Sequence, residues 1–219
     1  MKTLLNFLTD LRKNNNRDWF NDNRKRYEEG KEQMLFFTEL LIQEIHKFDE
    51  SVPLIDPKDC LFRIFRDVRF SHDKSPYKTH MGSFIAPGGR KSRMAGYYIH
   101  VEPGNSFLGG GIWRPEAAEL KAIRSEIYHH PEGFKEVIHD ADFKNYYPSI
   151  EGEKLKTAPK GFPKDFEDID LLRYKSYTFG LSLDDQTVLS DDFVGIAVDA
   201  FRELSKANRY LNYALGRWK

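Results

Sequence analysis

Residues 63–79 read Arg-Ile-Phe-Arg-Asp-Val-Arg-Phe-Ser-His-Asp-Lys-Ser-Pro-Tyr-Lys-Thr, a stretch in which charged and apolar side chains are interleaved. It holds five cations and two carboxylates: Arg63, Arg66, Arg69, Lys74 and Lys78 against Asp67 and Asp73. Apolar neighbours such as Ile64 and Phe65 favour burial, and they draw some of the guanidinium groups to a semi-buried surface with them. A desolvated arginine needs a partner, which is either an internal carboxylate or an anionic ligand.

The composition is that of a globular protein with one sizeable core. Of the 219 residues, 40% are hydrophobic and 14% are aromatic, which excludes a disordered chain. The formal net charge is zero, so we do not expect a general nucleic-acid-binding protein. Residues 61–100 nevertheless contain eight Lys or Arg against two Asp or Glu, a local charge of +6. A basic centre in an acidic surround predicts a local anion site.

The chain has a single cysteine, Cys60, which excludes internal disulfides and a cysteine-based zinc site. Its N-terminus has no apolar region typical of a signal peptide. No apolar run approaches the roughly 18 residues needed to span a bilayer. We therefore expect a cytoplasmic protein with no membrane association.

Helices are predicted near both ends of the chain. Apolar residues at helical spacing predict helices over residues 3–12, 19–48 and 191–215. Asn16 or Asp18 is a suitable N-cap for the second of these helices.

Between these helices the pattern changes to strands. We predict five strands, at about 61–67, 80–86, 95–102, 106–113 and 174–183. Turn sequences at 87–89 and 103–105 join the middle three into a β-meander over residues 80–113. The predicted fold is therefore a single α+β domain over residues 1–219. Its mostly antiparallel sheet packs against the long N- and C-terminal helices.

One motif connects the stretch to a known family. The pattern Arg-x-x-Arg-Asp-x-Arg-Phe-x-x-Asp-Lys-x-x-Tyr at residues 63–77 resembles the signature of an uncharacterised bacterial family, domain of unknown function 2461. The resemblance extends to residues 96–103, 107–113 and 159–162, and so covers nearly the whole chain. It implies a single domain and marks the site, but it names no reaction.

The motif has two interpretations. In one, Asp67 and Asp73 pair with the cations as a structural network, and the protein is a structural or protein-interaction module. In the other, two aspartates cannot neutralise five cations, and the surplus charge binds a small phosphorylated or carboxylated ligand. The candidate anion-binding residues are then Arg63, Arg66, Arg69, Lys74, Tyr77 and Lys78, with Asp67 and Asp73 orienting them.

The meander supplies further candidates for such a pocket. Its predicted lining residues are Tyr98, His100, Gly109, Gly110, Gly111 and Trp113. The three glycines indicate either a strand crowded by a bulky neighbour or a floor that a ligand can approach.

A further alternative is a metal-dependent hydrolase at His80, His100 and Glu102, because a His-x-Glu pair on one strand face is able to bind a metal. A hydrogen-bonded histidine within the sheet fits the same pattern. The anion-site interpretation includes no metal, and no cofactor, catalytic residue or oligomeric state is predicted.

Overall fold

The computed structural model of the chain describes residues 1–217. Its helices and strands follow one another as α1 (Lys2–Lys13), α2 (Arg17–Asp22), α3 (Arg24–Phe48), α4 (Pro57–Cys60), β1 (Met81–Ile85), β2 (Gly96–Val101), β3 (Ser106–Ile112), α5 (Ala117–His129), α6 (Pro131–His139), α7 (Ala141–Tyr146), α8 (Ile169–Leu172), β4 (Tyr177–Leu183), α9 (Asp185–Leu189) and α10 (Phe193–Ala214).

The strands of residues 1–217 form one four-stranded antiparallel sheet in the order β1-β2-β3-β4. The α+β class is therefore confirmed, and neighbouring strands in the sequence are also neighbours in the sheet. The predicted number of about five strands is slightly too high. The strand that is missing from the described chain is the one expected at residues 61–67.

Residues 61–67 do not form a continuous strand, because they change pairing partners. Leu61 makes an isolated antiparallel bridge to Ser83, whereas Phe65 makes one to Tyr77. The backbone N–H of Arg66 donates to the carbonyl of Pro76 at 2.9 Å. Proline has no N–H with which to donate in return, so the second pairing is not extended into a ladder.

The helix predicted at 19–48 is two helices, α2 and α3. The side chain of Asn16 accepts a hydrogen bond from the backbone N–H of Trp19 at 3.0 Å and so caps α2. Asn23 separates the two helices, and its side-chain amide donates to the carbonyl of Trp19 at 2.9 Å. The break thus has a local cause, because an asparagine satisfies a carbonyl at the end of α2.

The chain divides into two compact units. Unit 1 contains Met1–Lys91, Tyr98–Leu108 and Ser182–Val198. Unit 2 contains Ser92–Tyr97, Gly109–Leu181 and the described residues from Asp199 onward. The assignment of residues 1–219 to a single domain stays a prediction.

In unit 1, α3 packs against both α1 and β1. Both helices contribute apolar side chains to the buried core, namely Leu4, Phe7, Leu8 and Leu11 from α1 and Met34, Leu41 and Ile45 from α3. Removal of this apolar surface from water is the main stabilising contribution to the unit. Because α3 also contacts β1, the N-terminal helices hold the strand that follows the motif.

In unit 2, α10 is attached to strand ends by buried asparagines. Asn212 accepts from the backbone N–H of Ala95 at 2.8 Å and donates to its carbonyl at 3.2 Å. Asn208 accepts from the N–H of Gly111 and donates to the carbonyl of Gly96, both at 3.1 Å. These side chains satisfy buried backbone groups that the sheet leaves unpaired. Within residues 1–217, no helix combines the length and apolar character that crossing a membrane requires.

Candidate functional site

The loop of residues 66–75 is closed by an internal ion pair. The guanidinium of Arg66 contacts the carboxylate of Asp73 and also donates to the carbonyl of Ser75 at 3.1 Å. Asp73 accepts from the backbone N–H and the hydroxyl of Ser75, at 2.9 and 2.6 Å. The hydrogen bonds from Ser75, and then the charge of Arg66, lower the pKa of Asp73 to about 2. Arg66 is therefore part of the structure of the loop.

Two more cations of the motif are also paired within this loop. Arg69 makes a bidentate contact with Asp67, with Nε at 2.9 Å and Nη2 at 2.7 Å from the carboxylate oxygens. Lys74 Nζ donates to the carbonyl of Val68 at 3.1 Å. The side chain of Arg69 is 76% exposed, so this pair lies in solvent. The expected contact between Asp67 and one of the motif arginines is thus present.

Arg63 and Lys78 differ from the other three cations. Among residues 1–217, no carboxylate lies within salt-bridge distance of either side chain, and neither makes a side-chain hydrogen bond. Lys78 is half-buried, with Nζ 5.8 Å from the centroid of the Phe62 ring. Burial lowers the pKa of Lys78, and the positive charge of Arg63 lowers it further. The two cations are therefore electrostatic neighbours. Arg63 also contributes to the lowered pKa of Asp67, after the hydrogen bonds from Arg69, whereas Lys78 has no carboxylate within salt-bridge distance among residues 1–217.

Beside Lys78 lies a cluster of polar side chains on one face of β2. The hydroxyl of Tyr98 is 3.1 Å from Nδ1 of His100, and Nε2 of His100 is 3.2 Å from Oε2 of Glu102. Alternation along β2 places Tyr98 and His100 on the same face, and Glu102, directly after the strand, continues the pattern. Burial lowers the pKa of His100. The geometry therefore fits a neutral imidazole that donates from Nε2 to the carboxylate and accepts from the tyrosine at Nδ1.

Glu102 is anchored from several sides. Its Oε1 accepts from the hydroxyl of Thr79 at 2.8 Å and lies 3.4 Å from the guanidinium of Arg12, while its Oε2 accepts from the amide of Asn105 at 3.0 Å. Burial raises the pKa of Glu102, but the hydrogen bonds from Asn105, Thr79 and His100 outweigh it, so the pKa is lowered. Glu102 is consequently an ionised carboxylate in a fixed position.

His80 completes the cluster. Its ring centroid is 4.3 Å from that of His100, and its ring nitrogens have no hydrogen-bond partner among residues 1–217. Burial lowers the pKa of His80 to about 4, and the neighbouring His100 and Lys78 act in the same direction. One ligand-type atom each from His80, His100 and Glu102 lies within 4.8 Å of the other two. The structure thus brings His80, which the sequence named as a further ligand candidate, close to the His-x-Glu pair.

A separate cleft of about 310 Å³ lies against the other end of the motif. It is lined by Arg17, Asn21, Phe65, Arg66, Val68, Pro76 and Tyr77. Tyr77 is buried and stacks on Phe20, with ring centroids 4.0 Å apart. Arg17 and Asn21 were not predicted as site residues, because nothing in the pattern of α2 distinguishes them from other surface residues.

The remaining predicted lining residues belong to unit 2, where backbone contacts account for the glycines. A Cβ on Gly110 would lie 2.0 Å from the carbonyl oxygen of Gly96, and one on Gly109 would lie 2.5 Å from that of Phe179. Gly111 has a φ of 94°, a conformation that other residues rarely adopt. Trp113 is 70% exposed. The crowded-strand interpretation therefore explains the three glycines.

The chain was also compared with known proteins. A family model described as "Conserved hypothetical protein (DUF2461)" matches residues 3–210. The chain belongs to this family. No curated protein and no solved structure gives a match to it.

In this member of the DUF2461 family, the residues of the signature do not form one pocket. Arg66, Arg69 and Lys74 are paired inside the loop, and Tyr77 is packed in the core. Lys78, directly after the signature, lies instead beside the cluster on β2. The fixed anchors of that cluster, Thr79, Asn105 and Arg12, were missed because they come from separate segments of the chain.

Proposed function

We propose that the chain binds a small phosphorylated or carboxylated compound through Lys78 and Arg63, next to His80. The observation that carries the proposal is the half-buried ammonium group of Lys78, which lacks a carboxylate partner among residues 1–217. Partial burial disfavours an unpaired charge, and buried charges in proteins are normally paired. A bound anion would provide the missing partner.

The two cations suit an anionic group in complementary ways. A guanidinium offers a planar fork of donors that matches a phosphate or a carboxylate, and an ammonium supplies a compact point charge. Because Arg63 already lowers the pKa of Lys78, a ligand that neutralises both would remove their mutual repulsion. Such a ligand would be favoured over a neutral analogue of the same shape.

Aromatic rings form a wall for the body of the ligand. The rings of Phe62 and Tyr98 lie 6.2 Å apart in an edge-to-face arrangement, and Lys78 lies over the first of them. Burial raises the pKa of Tyr98 to about 12, so its hydroxyl remains protonated and adds no negative charge that would repel an anion. The site therefore combines charge recognition with apolar contact, as small-molecule sites do.

The loop of residues 66–75 supports the structural interpretation for its own part of the motif. Arg66 and Arg69 have aspartate partners, and Lys74 has a carbonyl. We assign these pairs to holding the loop, and not to ligand binding. The cleft that contains Arg17 and Arg66 is the second candidate location for an anion, since its volume of about 310 Å³ is sufficient for a small ligand.

A thermal-shift titration with inorganic phosphate and with citrate tests the proposal, with sodium chloride at matched ionic strength as reference. At 100 times its dissociation constant, a ligand stabilises the folded state by about 2.7 kcal/mol. For a chain of this size the melting temperature should then rise by roughly 5–10 °C. Lys78→Met keeps the apolar stem over Phe62 but removes the charge, and it should abolish most of the response.

Arg69→Gln is the matched control, because it removes one exposed cation of the same motif while leaving Lys78 in place. It should retain the full response to phosphate and citrate. Arg17→Gln separates the two locations: a response lost in this variant but kept in Lys78→Met would place the anion in the cleft. No response of the wild-type protein to either anion beyond that to sodium chloride would contradict the proposal.

A further inference from the structure

We infer that His80, His100 and Glu102 form a binding site for a divalent transition metal ion, with two imidazole nitrogens and one carboxylate oxygen as ligands. The site does not depend on the anion-binding proposal, because it uses different side chains. Each of its ligands comes from a position next to or within a strand: His80 directly precedes β1, His100 lies on β2, and Glu102 directly follows β2.

The spacing of the ligand atoms is close to that of a metal shell. With metal–ligand distances of about 2.0–2.1 Å, two ligand atoms of a tetrahedral site lie about 3.3 Å apart. His100 Nε2 and Glu102 Oε2 are 3.2 Å apart, and all three ligand atoms lie within 4.8 Å of one another. His100 lies on β2 and Glu102 directly follows it, so the backbone places these two ligands at alternate positions on one side.

The ring of His100 is held in the orientation that a ligand needs. It stacks on Phe107 with centroids 4.7 Å apart and an interplanar angle of 17°, and His80 lies 4.3 Å away. The hydroxyl oxygen of Tyr98 is 3.1 Å from Nδ1, so it is placed to accept a hydrogen bond from the Nδ1–H group when Nε2 binds the metal. Hydrogen bonds of this kind to the second ring nitrogen are a regular feature of histidine ligands.

The carboxylate of Glu102 has one oxygen for its anchors and one directed at the histidines. Thr79 and Arg12 contact Oε1, whereas Oε2 faces His100. Thr79 and Arg12 thus fix the carboxylate through the oxygen that faces away from His100, as outer partners of metal ligands do. Asn105 also donates to Oε2, which leaves that oxygen a further lone pair for the metal.

The unpaired nitrogens of His80 supply the independent argument for a ligand. A half-buried imidazole that makes no hydrogen bond to residues 1–217 has lost part of its hydration and gained no partner in exchange. A metal ion at the cluster would provide that partner. Three protein ligands leave at least one coordination position open, as in catalytic rather than structural zinc sites.

The charge balance of the site also favours an anion at the open position. One carboxylate and two neutral imidazoles leave a divalent ion with a net positive charge, and Lys78 adds a further cation nearby. A ligand oxygen of a phosphate or carboxylate would complete the metal shell while it contacts Lys78. This link between the two sites rests on the proposed function, but metal binding itself does not.

The experiment is a titration of untagged, EDTA-dialysed protein with Co²⁺, followed by visible absorption, and then by competition with Zn²⁺. We expect one equivalent of Co²⁺ to give the d–d bands of a low-coordinate site and Zn²⁺ to displace it. His80→Ala should weaken binding on the order of 100-fold, since loss of an outer partner alone costs about 10–100-fold. Because His80 makes no hydrogen bond, this variant should remain folded by circular dichroism.

His72→Ala is the matched control: His72 is an exposed histidine of the motif loop, and its removal should leave the Co²⁺ spectrum and affinity unchanged. Lys78→Met should likewise retain Co²⁺ binding in the absence of phosphate, so that failure of the anion proposal is distinguishable from failure of this one. Absence of the bands, or an unchanged affinity in folded His80→Ala, would overturn the inference.

Discussion

The loop of residues 66–75 and the cluster around His80 are both polar, but they differ in how their charges are satisfied. In the loop, Arg66 and Arg69 each have an aspartate of the same short segment as partner. In the cluster, Lys78 and His80 have no such partner among residues 1–217, although both are less exposed than Arg69. Arg66 and Arg69 thus pair with near neighbours in sequence, whereas Lys78 and His80 remain available to bind an anion or a metal ion.

This difference shows why a count of cations overestimates the number of residues that are free to bind an anion. Five cations occur in the motif, but three of them contact groups of the loop. Functional candidates are the groups whose partial burial is not compensated within the chain. Substitutions in the two regions should therefore have different consequences, with stability affected in one and ligand or metal binding in the other.

The largest effect on stability is expected for Glu102→Ala in metal-free protein. The change leaves Thr79 and Asn105 without their acceptor, and Arg12 with only the carbonyl of Pro103, in a site where the glutamate side chain is only 16% exposed. We expect the free energy of unfolding to fall by about 2–3 kcal/mol, measured by urea denaturation. Glu132→Ala, at a glutamate that is 75% exposed, is the control and should change it by less than about 0.5 kcal/mol. If Glu102→Ala and Glu132→Ala lowered the free energy of unfolding equally, the hydrogen bonds of Glu102 would contribute nothing beyond those of a surface carboxylate.

Arg66→Ala should have the next largest effect. It removes the hydrogen bonds to Asp73 and to the carbonyl of Ser75, from a side chain that is only 26% exposed. The expected loss is about 1–2 kcal/mol in the free energy of unfolding. The thermal response to phosphate should persist, because Lys78 is untouched. Loss of that response at unchanged stability would show that the loop, and not the cluster, binds the anion.

Acid should weaken the same loop contacts. The pKa of Asp73 is lowered from 3.8 to about 2, so the folded state holds its carboxylate ionised where the unfolded chain would bind a proton. The stabilisation is therefore complete above pH 3.8 and is lost as the pH falls through about 2. Carboxyl NMR titration should place the midpoint of Asp73 well below 3.8 in the wild-type protein, and only somewhat higher in the Arg66→Ala variant, which keeps the hydrogen bonds from Ser75. A midpoint near 3.8 in the wild-type protein would argue against the contacts of Asp73 with Ser75 and Arg66.

The smallest effect is expected for Arg69→Ala. If the pair with Asp67 were buried, its loss would cost several kcal/mol, but the side chains are 76% and 46% exposed. An exposed ion pair contributes about 0–1 kcal/mol, and salt screens it. Urea denaturation at low and high sodium chloride should show a loss below about 1 kcal/mol that decreases further in salt. If the free energy of unfolding fell by several kcal/mol instead, the main role of the motif would be that of a structural network.

Much of the fold could be predicted from the sequence, because it depends on local signals. The apolar spacing of the C-terminal helix and the turn sequences at 87–89 and 103–105 predicted α10 and the meander close to their observed bounds. Local signals could not show that the strand predicted at 61–67 is absent, because the alternating pattern of these residues is that of a strand. What interrupts it is a change of partner from Ser83 to Tyr77, which only the three-dimensional arrangement reveals.

For the candidate site, the sequence by itself determined which groups are present: an excess of cations over carboxylates in the motif, and a His-x-Glu pair on one face of a strand. Only the tertiary structure decided which of them meet. Short loops bring Arg66 to Asp73 and Arg69 to Asp67 within a few residues. Chain folding over twenty residues brings His80 beside His100. The physical reason is that electrostatic pairing depends on distance in space and on burial, and neither is encoded in the order of residues along a short stretch.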